Sequence, residues 1–283
     1  MQLNKHQFEW VSAHIHYKDS AHALLCRFIQ PFITQATPLL HSSCPYFFIR
    51  YNEGGPHIQL RLQTRQHHIN QLKELLEASL YHSVHIIHYI PYITETGKYG
   101  HETTLQLAEA LFHASSMCCL QCLTAQEQND TATALRLAWQ MHLAFFHALQ
   151  HEPDAVQQHC RQFTAAWLKV LQKKNTTITH EQLLNHMHTL YNRQAHALQP
   201  AASNLWNQLE TAQAPEPFET YAKACRSLLL QYNEADWKPG QLAYAIRSLL
   251  HMTNNRLGIP NSEEAWCLFI TGKCIQYIYE RQY

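Results

Sequence analysis

A hairpin signal within the first hundred residues restricts the fold more than any other feature. Residues 46–51 form a strand-like run of aromatic and β-branched side chains. Shortly after it, Glu53-Gly54-Gly55-Pro56 supplies residues that favour the positive φ angles of a tight turn. From His57 to Thr64, apolar and polar side chains alternate, as they do in a strand with two different faces. The sequence therefore predicts two antiparallel strands joined by a short turn.

Two further strands and two helices flank this hairpin. Residues 8–17 and 84–92 carry the remaining strand signals. A helix pattern capped at Asp19-Ser20 follows the first strand and ends before Pro38, and a second amphipathic helix covers 66–80. The resulting order, β-α-β-β-α-β, is that of ferredoxin-like folds, in which two helices cover one face of a four-stranded antiparallel sheet. The other sheet face must then be covered or used.

From about Glu102 onward, the sequence has only helical periodicity. Prolines and Asp130 separate eight predicted helices, which cover 102–123, 131–150, 153–173, 179–197, 200–213, 217–232, 238–256 and 262–281. The predicted fold class is therefore α+β, with a ferredoxin-like subdomain in 1–100 packed on a larger helical bundle in 101–283. Together the two parts are expected to form one compact unit.

The charge balance and the cysteine usage exclude several classes of protein. Lysine plus arginine and aspartate plus glutamate number 21 each, so the chain has no net charge with which to track a nucleic-acid backbone. The nine cysteines show no regular framework spacing and the N-terminus has no apolar signal-peptide core, which favours reduced thiols in the cytoplasm. No apolar run approaches the roughly 20 residues of a membrane helix, so we expect a soluble protein without a membrane span.

The strand that begins at His57 carries the most informative side chains. Ile58, Leu60 and Leu62 share one face of it, and the polar residues between them share the other. If the aliphatic face meets the two helices, Gln59 and Arg61 point to the opposite face, where an unpaired guanidinium is costly to bury unless it binds something. The alternative is a solvated edge strand on which Arg61 is merely exposed.

Two shorter motifs also carry candidate chemistry. Glu95 and Lys98 lie just before a predicted helix, where such a pair can direct a cation toward an anionic ligand, although most such pairs are solvated surface pairs. His251, near the end of a helix, has a side chain suited to proton transfer near neutral pH, although a lone helix histidine is more often structural.

No motif supports a metal ion or a cofactor. Cys118, Cys119 and Cys122 fall inside a predicted helix, and the sequence has no second ligand cluster with recognisable spacing. It also lacks dinucleotide-binding, phosphate-loop and nucleophile-elbow motifs. We therefore expect neither zinc nor any other cofactor.

Three motifs, in this order, resemble one known family. They are Phe47–Tyr51 with Gly55–Arg61, Glu95-x-x-Lys98-Tyr99-Gly100, and His251-Met252 with Asn255-Arg256-Leu257. Together they resemble the C-terminal elimination domain of the lantibiotic dehydratases, a family that includes thiopeptide-type bacteriocin biosynthesis proteins. The resemblance extends from Trp10 to the last helix. It implies a stand-alone domain that removes glutamate from glutamylated Ser or Thr of a precursor peptide and leaves dehydroamino acids.

The resemblance also implies the partners of the chain. The substrate would be a precursor peptide with its leader, and a separate protein would transfer glutamate to it from glutamyl-tRNA. This chain would then bind no nucleic acid directly, and a homodimer remains open. Elimination has no redox step and needs no obligatory cofactor.

The matching positions give the expected site residues. Catalytic roles are expected for Arg61, Glu95, Lys98 and His251. Substrate contacts are expected for Arg50, His57, Gln59, Tyr99 and Arg256. His251 would act as general base or proton shuttle, and Arg61 would stabilise the enolate or hold the glutamyl group. Lys98 would bind the leaving glutamate, and Glu95 would orient the cations. These roles require that Arg61, the Glu95–Lys98 turn and His251 share one pocket between sheet and helices.

Two positions depart from the family pattern. Gln59 and Lys98 each stand where the family usually has an arginine; lysine keeps the charge but loses the bidentate fork, and glutamine loses the charge altogether. Two alternatives to elimination therefore stay open. One is the cycloaddition between two dehydroalanines that forms the pyridine ring of thiopeptides. The other is a non-catalytic module that binds the leader peptide or scaffolds the glutamylating partner.

Overall fold

The structure is a computed structural model that describes residues 8–42, 44–81, 86–127, 130–174 and 179–282. The chain divides into two compact units, Met1–Asn129 and Asp130–Tyr283. The first unit contains a four-stranded sheet, and the regular elements described in the second unit are all helices. The predicted α+β class is confirmed.

The sheet consists of β1 (Phe8–His16), β2 (Tyr46–Tyr51), β3 (His57–Arg65) and β4 (Ile86–Tyr89). The strand order is β2-β3-β1-β4, and every neighbouring pair is antiparallel. This is the predicted ferredoxin-like topology. The hairpin between β2 and β3 turns at Gly54 and Gly55, whose φ angles of 77° and 102° lie in the region that favours glycine.

Strand β4 is shorter than the sequence predicts. Its predicted start, Val84, lies outside the described residues, and its end is Tyr89 rather than Tyr92. Pro91 explains the early end, because proline has no N–H to donate to a sheet ladder. The segment from Ile90 to Glu95 is therefore irregular, and it carries Tyr92 away from the strand.

Helical elements cover the aliphatic face of the sheet. The first set comprises α1 (Ala21–Leu24), a π-helical turn (Leu25–Ile29), α2 (Gln30–Ala36) and a 3-10 turn (Thr37–Leu39). The second comprises a 3-10 turn (Gln66–His68) and α3 (Ile69–Leu80). Ser20 caps α1 as predicted, accepting a hydrogen bond from the Ala23 amide at 3.0 Å. The ammonium group of Lys73 in α3 lies 4.6 Å from the ring centroid of Tyr89, which projects from the aliphatic face.

Two helices complete the first unit, α4 (Thr96–Tyr99) and α5 (Glu102–Thr124). Helix α5 lies along the free edge of β2. Its Ser116 hydroxyl accepts a hydrogen bond from the Phe48 amide at 3.2 Å, and Nδ1 of His113 lies 2.9 Å from the Tyr46 carbonyl. An edge strand exposes unpaired backbone groups, and these side chains satisfy two of them. The first unit ends at Asn129, so α5 lies with the sheet.

The second unit is built from α6 (Thr131–Leu149), α7 (Pro153–Lys174), α8 (His180–Glu210), α9 (Phe218–Asn233), α10 (Gln241–Leu257) and α11 (Asn261–Gln282). Helices α7 and α11 pack closely at Gly272, where an added Cβ would come within 2.9 Å of the Cys160 Cβ. Within the described ranges, no helix is long and apolar enough to cross a membrane.

The prediction of two separate helices at 179–197 and 200–213 was wrong, because α8 runs through Pro200 without interruption. Proline removes one helical N–H, which leaves the carbonyl of His196 without its usual donor. Both residues are exposed, so water can replace the lost bond. Buried residues on both sides of the proline, including Tyr191 and Leu205, anchor the two halves of α8 in one core.

Candidate functional site

The polar face of the sheet gathers the side chains that the alternation of β3 predicts. Gln59 and Arg61 point away from the covering helices, and the register places Ser12 and Phe47 opposite Arg61. The alternative of a solvated edge strand is wrong, because β3 lies between β2 and β1. Arg61 therefore projects from an inner strand of the sheet rather than from a solvated edge, so its charge needs a partner or a ligand.

The guanidinium of Arg61 is held mainly by aromatic rings. Its Cζ lies 4.5 Å from the ring centroid of Tyr92 and 5.4 Å from that of Phe47, and its Nη2 donates to Gln59 Oε1 at 3.0 Å. The remaining nitrogens, Nε and Nη1, are buried and have no hydrogen-bond partner among the described residues. Burial lowers the pKa of Arg61. A buried cation with two unsatisfied donors is poised to bind an anion.

Glu109 of α5 lies at the hydroxyl end of Tyr92. The Tyr92 hydroxyl donates to the Glu109 carboxylate, and the residue is only 7% exposed. Burial raises the pKa of Glu109 to about 6, against the opposing effects of the Tyr92 hydrogen bond and the Arg61 charge. Its Oε1 is buried without a hydrogen-bond partner in the described part of the chain. The candidate site thus contains an incompletely bonded anion as well as an incompletely bonded cation.

Glu109 is absent from the site residues predicted from sequence, although its position carries a signal. Leu105, Ala108 and Phe112 form the apolar stripe of α5, and Glu109 lies on the same stripe. A carboxylate at such a position is either neutralised, paired or used for function.

The Glu95–Lys98 pair forms at the surface. Lys98 Nζ lies 2.9 and 3.0 Å from the two carboxylate oxygens of Glu95, and the side chains of Lys98 and Glu95 are 45% and 56% exposed. The pair itself contributes little to stability. The charge of Glu95 nevertheless acts on Arg61 and raises its pKa. The first unit therefore brings Arg61, Gln59 and the Glu95–Lys98 turn into electrostatic range of one another, whereas Tyr99 is buried against Phe112, with ring centroids 5.1 Å apart.

A group of imidazoles continues the polar face beyond Gln59. The ring centroid of His57 lies 4.6 Å from that of His16 and 5.1 Å from that of His14, and His57 Nδ1 lies 2.8 Å from the carbonyl of Gly55. Burial and the neighbouring His57 lower the pKa of His14 to about 4, so His14 is neutral at physiological pH. His57 therefore belongs to a row of rings beside Arg61.

Arg50 does not join this group. The alternation along β2 pairs it with Ile58, which places it on the helix-covered face, opposite to Arg61. Burial lowers the pKa of Arg50, and the nearby Tyr17 partly offsets this effect. Its expected substrate contact stays a prediction without support from the arrangement of the first unit.

In the second unit, His251 has a defined hydrogen-bond partner. Its Nδ1 lies 2.8 and 3.0 Å from the carboxylate oxygens of Glu264. Glu264 is fully buried and also accepts a hydrogen bond from Asn254 Nδ2 at 3.1 Å. Because the carboxylate can only accept, Nδ1 carries the hydrogen, and Nε2 is left as the basic nitrogen. The His251 side chain is 36% exposed, so the ring is accessible.

Glu264 was also missed at the sequence level. It lies in the first turn of α11, where acidic residues are common because of the helix dipole. Nothing in its local sequence distinguishes it from the adjacent Glu263. Arg256, five residues beyond His251, is fully buried in the last turn of α10, so its expected substrate contact also stays a prediction.

The described residues contain no group of three or more His, Cys, Asp or Glu side chains arranged to hold a metal ion. The three clustered cysteines, Cys118, Cys119 and Cys122, are buried in α5.

Residues 10–275 match the family described as lantibiotic biosynthesis dehydratase, C-terminal domain. The chain therefore belongs to this family. Comparison with curated proteins gives no significant match.

Three solved structures share the fold. The tRNA-dependent lantibiotic dehydratase MibB from Microbispora sp. 107891 is 19% identical with a TM-score of 0.70, over 96% of this chain and 28% of MibB. The pyridine synthase TbtD from thiomuracin biosynthesis is 13% identical with a TM-score of 0.72, over 97% of this chain and 99% of TbtD. TsrL is 16% identical with a TM-score of 0.65, over 96% of each chain. This chain thus spans less than a third of MibB and nearly the full length of the other two.

Proposed function

We propose that this protein eliminates glutamate from glutamylated Ser or Thr residues of a ribosomal precursor peptide, giving dehydroalanine or dehydrobutyrine. In this reaction a base removes the α-proton of the modified residue, the bond from its β-carbon to the ester oxygen breaks, and glutamate leaves as a carboxylate. The reaction needs a base, a cation near the developing negative charge and a site for the leaving anion. Membership of the lantibiotic dehydratase family supports this assignment.

The observation that carries the proposal is the state of Arg61. Its Nε and Nη1 are buried without an acceptor among the described residues, while Gln59 and the aromatic rings hold the guanidinium in place. A glutamyl carboxylate or an enolate oxygen supplies the missing acceptors. Lys98, close enough to Glu95 to be oriented by it, takes the leaving glutamate.

His251 is the proposed general base. Glu264 accepts the Nδ1 hydrogen and leaves Nε2 to take the α-proton. The carboxylate also stabilises the imidazolium that forms after proton transfer. That the Arg61 group and His251 serve one substrate stays a prediction, because they belong to separate compact units.

The proposed partners follow from the same reaction. The substrate is a precursor peptide that carries a leader, and a separate protein glutamylates it from glutamyl-tRNA. MibB supports this division of labour, since it is a tRNA-dependent lantibiotic dehydratase and this chain matches 28% of its length. A homodimer is a further proposal that sedimentation of the purified protein tests.

A pre-glutamylated peptide tests the proposed function. Mass spectrometry of the peptide is expected to show loss of glutamate, and Arg61→Ala and His251→Ala are each expected to slow this loss by about 10²-fold or more. Glu74→Gln, on the exposed face of α3, is the matched control and should keep the wild-type rate. Wild-type rates in both alanine variants would contradict the assigned roles.

Pyridine-forming cycloaddition is the second candidate. TbtD is described as a pyridine synthase, and the match extends over 99% of it. Gln59 and Lys98 also stand where the family usually has arginine, so the site has two fewer guanidinium groups than the family pattern. A peptide with two dehydroalanines distinguishes the reactions, because cycloaddition gives a macrocycle and releases the leader. Stoichiometric peptide binding without turnover, with the glutamylating partner present, would favour a binding module over both enzymes.

A further inference from the structure

Two incompletely bonded charges flank Tyr92 in the first unit. Arg61 lies over the face of the ring and has two buried nitrogens without a partner in the described ranges. At the hydroxyl of the same ring, Glu109 accepts the Tyr92 hydrogen, and its Oε1 is buried without a partner among the same residues. Both groups belong to the same unit, so their proximity needs no assumption about the second unit.

The hydrogen bonds of Arg61 and Glu109 differ from those of a simple buried ion pair. A buried arginine and glutamate that served only each other would form a direct, preferably bidentate, pair. Here Arg61 Nη2 is bonded to Gln59, while Nε, Nη1 and Glu109 Oε1 all lack partners in the described part of the chain. A buried polar atom without a hydrogen bond carries a free-energy penalty, and a ligand that bonds to the atom removes this penalty. The arrangement fits a ligand with a negatively charged acceptor for Arg61 and a positively charged donor for Glu109.

A glutamyl ester has this combination of groups. An amino acid on tRNA is esterified through its α-carboxyl group, and transfer to a hydroxyl keeps that linkage. The glutamyl group on Ser or Thr therefore retains a free γ-carboxylate and a free α-ammonium group. The carboxylate matches the guanidinium, and the ammonium matches a buried carboxylate.

We propose that Glu109 is a specificity-determining residue that binds the α-ammonium of the glutamyl group while Arg61 binds its γ-carboxylate. This inference rests on the proposed function and names the part of the substrate that each residue recognises. Tyr92 sets the spacing, because its ring supports Arg61 and its hydroxyl holds the second carboxylate oxygen of Glu109. With a pKa of about 6, Glu109 is mostly ionised at pH 7 and above, as ammonium binding requires.

Calorimetric binding of two small probes to the full chain tests the proposal. Glutamic acid α-amide carries both the ammonium and the γ-carboxylate, and glutaric acid monoamide lacks only the ammonium. At pH 8 the wild-type chain is expected to bind the first probe about ten- to a hundredfold more tightly, as for a hydrogen bond between charged groups. Glu109→Gln is expected to reduce this ratio to about threefold or less.

Glu109→Asp separates loss of charge from loss of structure. It keeps the carboxylate on a shorter side chain, so part of the preference for the ammonium should return. Glu74→Gln is the control for a general loss of negative charge. The proposal is overturned if Glu109→Gln, with a wild-type circular dichroism spectrum, keeps the full preference, or if the wild-type chain binds neither probe.

The probe-binding result and the result of the elimination assay can fail independently. If the wild-type chain releases glutamate from the peptide but the probe preference does not depend on Glu109, elimination stands and this inference falls. If the preference depends on Glu109 but no glutamate is released, the glutamyl-binding site stands and elimination falls.

Discussion

The protein holds its two main candidate residues in different ways. Arg61 rests on aromatic rings with Gln59 as an acceptor, and two of its buried donors have no acceptor among the described residues. His251 instead gives one ring nitrogen to the buried carboxylate of Glu264, so its tautomer is defined. A group that binds a charge benefits from open donors, whereas a group that moves a proton benefits from a defined tautomer and orientation.

Glu264 is expected to act on catalysis through His251. Glu264→Gln removes the charge that orients the imidazole and stabilises its protonated form, so kcat for glutamate release should fall by about 10²-fold. KM should change little, because Glu264 is fully buried and the proposed substrate contacts lie elsewhere. The measurement is steady-state release of glutamate, with Glu263→Gln as the adjacent control. A change confined to KM would argue against a positioning role.

Glu109 is expected to make the unliganded protein less stable as pH rises from about 4.5 to 6. Its folded-state pKa is raised from the ordinary 4.5 to about 6, so the folded chain binds the proton more tightly than the unfolded chain. The stabilisation of the folded chain by protonated Glu109 is fully present below pH 4.5 and is lost as pH rises through 6. Since one pKa unit is worth about 1.4 kcal/mol, the loss is about 2 kcal/mol.

Urea denaturation of the wild type and Glu109→Gln across this pH range measures the effect as a difference. Subtracting the free energies of unfolding of the two proteins at each pH removes the opposing contribution of buried histidines, which both proteins share. His142 is one of them, and burial lowers its pKa to about 3. Among the described residues, Arg61 and Tyr92 act on Glu109, and Glu109 raises the pKa of Tyr92 and of the nearby Cys44. Parallel pH profiles in the two proteins would contradict the expected linkage.

At the scale of elements, local patterns predicted the strands well and the helix ends less well. The period-2 alternation of β3 and the glycines of the hairpin have direct counterparts in the structure, because strand faces and turns depend on neighbouring residues. Pro200 predicted a break that α8 does not have, because burial on both sides of the proline outweighs a local penalty of about 3 kcal/mol. Tertiary packing decided that boundary.

The contact between α7 and α11 gives a prediction at the same scale. Gly272→Ala places a Cβ within 2.9 Å of the Cys160 Cβ, so the helices must separate, and the free energy of unfolding is expected to fall by about 1–3 kcal/mol. Gly97→Ala, with nothing within 4 Å of the added Cβ, should be neutral or slightly stabilising. Chemical denaturation of both variants checks the prediction, and equal stabilities would contradict it.

At the scale of the whole molecule, the sequence motifs identified the family, and the match over residues 10–275 confirms it. The motifs succeeded because they combine residues from both units, Arg61 and Glu95 in the first and His251 in the second. The resemblance assigns roles to residues, but it does not name the side chains that surround them. Those surroundings separate Arg61, which lies on the polar face of the sheet, from Arg50, which lies on the opposite face.

The sequence by itself determined the order of strands and helices, the two faces of β3 and the position of the hairpin, because these features depend on residues close together in the chain. Only the tertiary structure decided which carboxylates lie beside the candidate cations and imidazoles. Glu109 reaches Arg61 and Tyr92 from a helix that follows the sheet, and Glu264 reaches His251 from the next helix. Burial raises the pKa of Glu109, and a hydrogen bond joins Glu264 to His251. Both environments are set by packing between elements rather than by any local pattern.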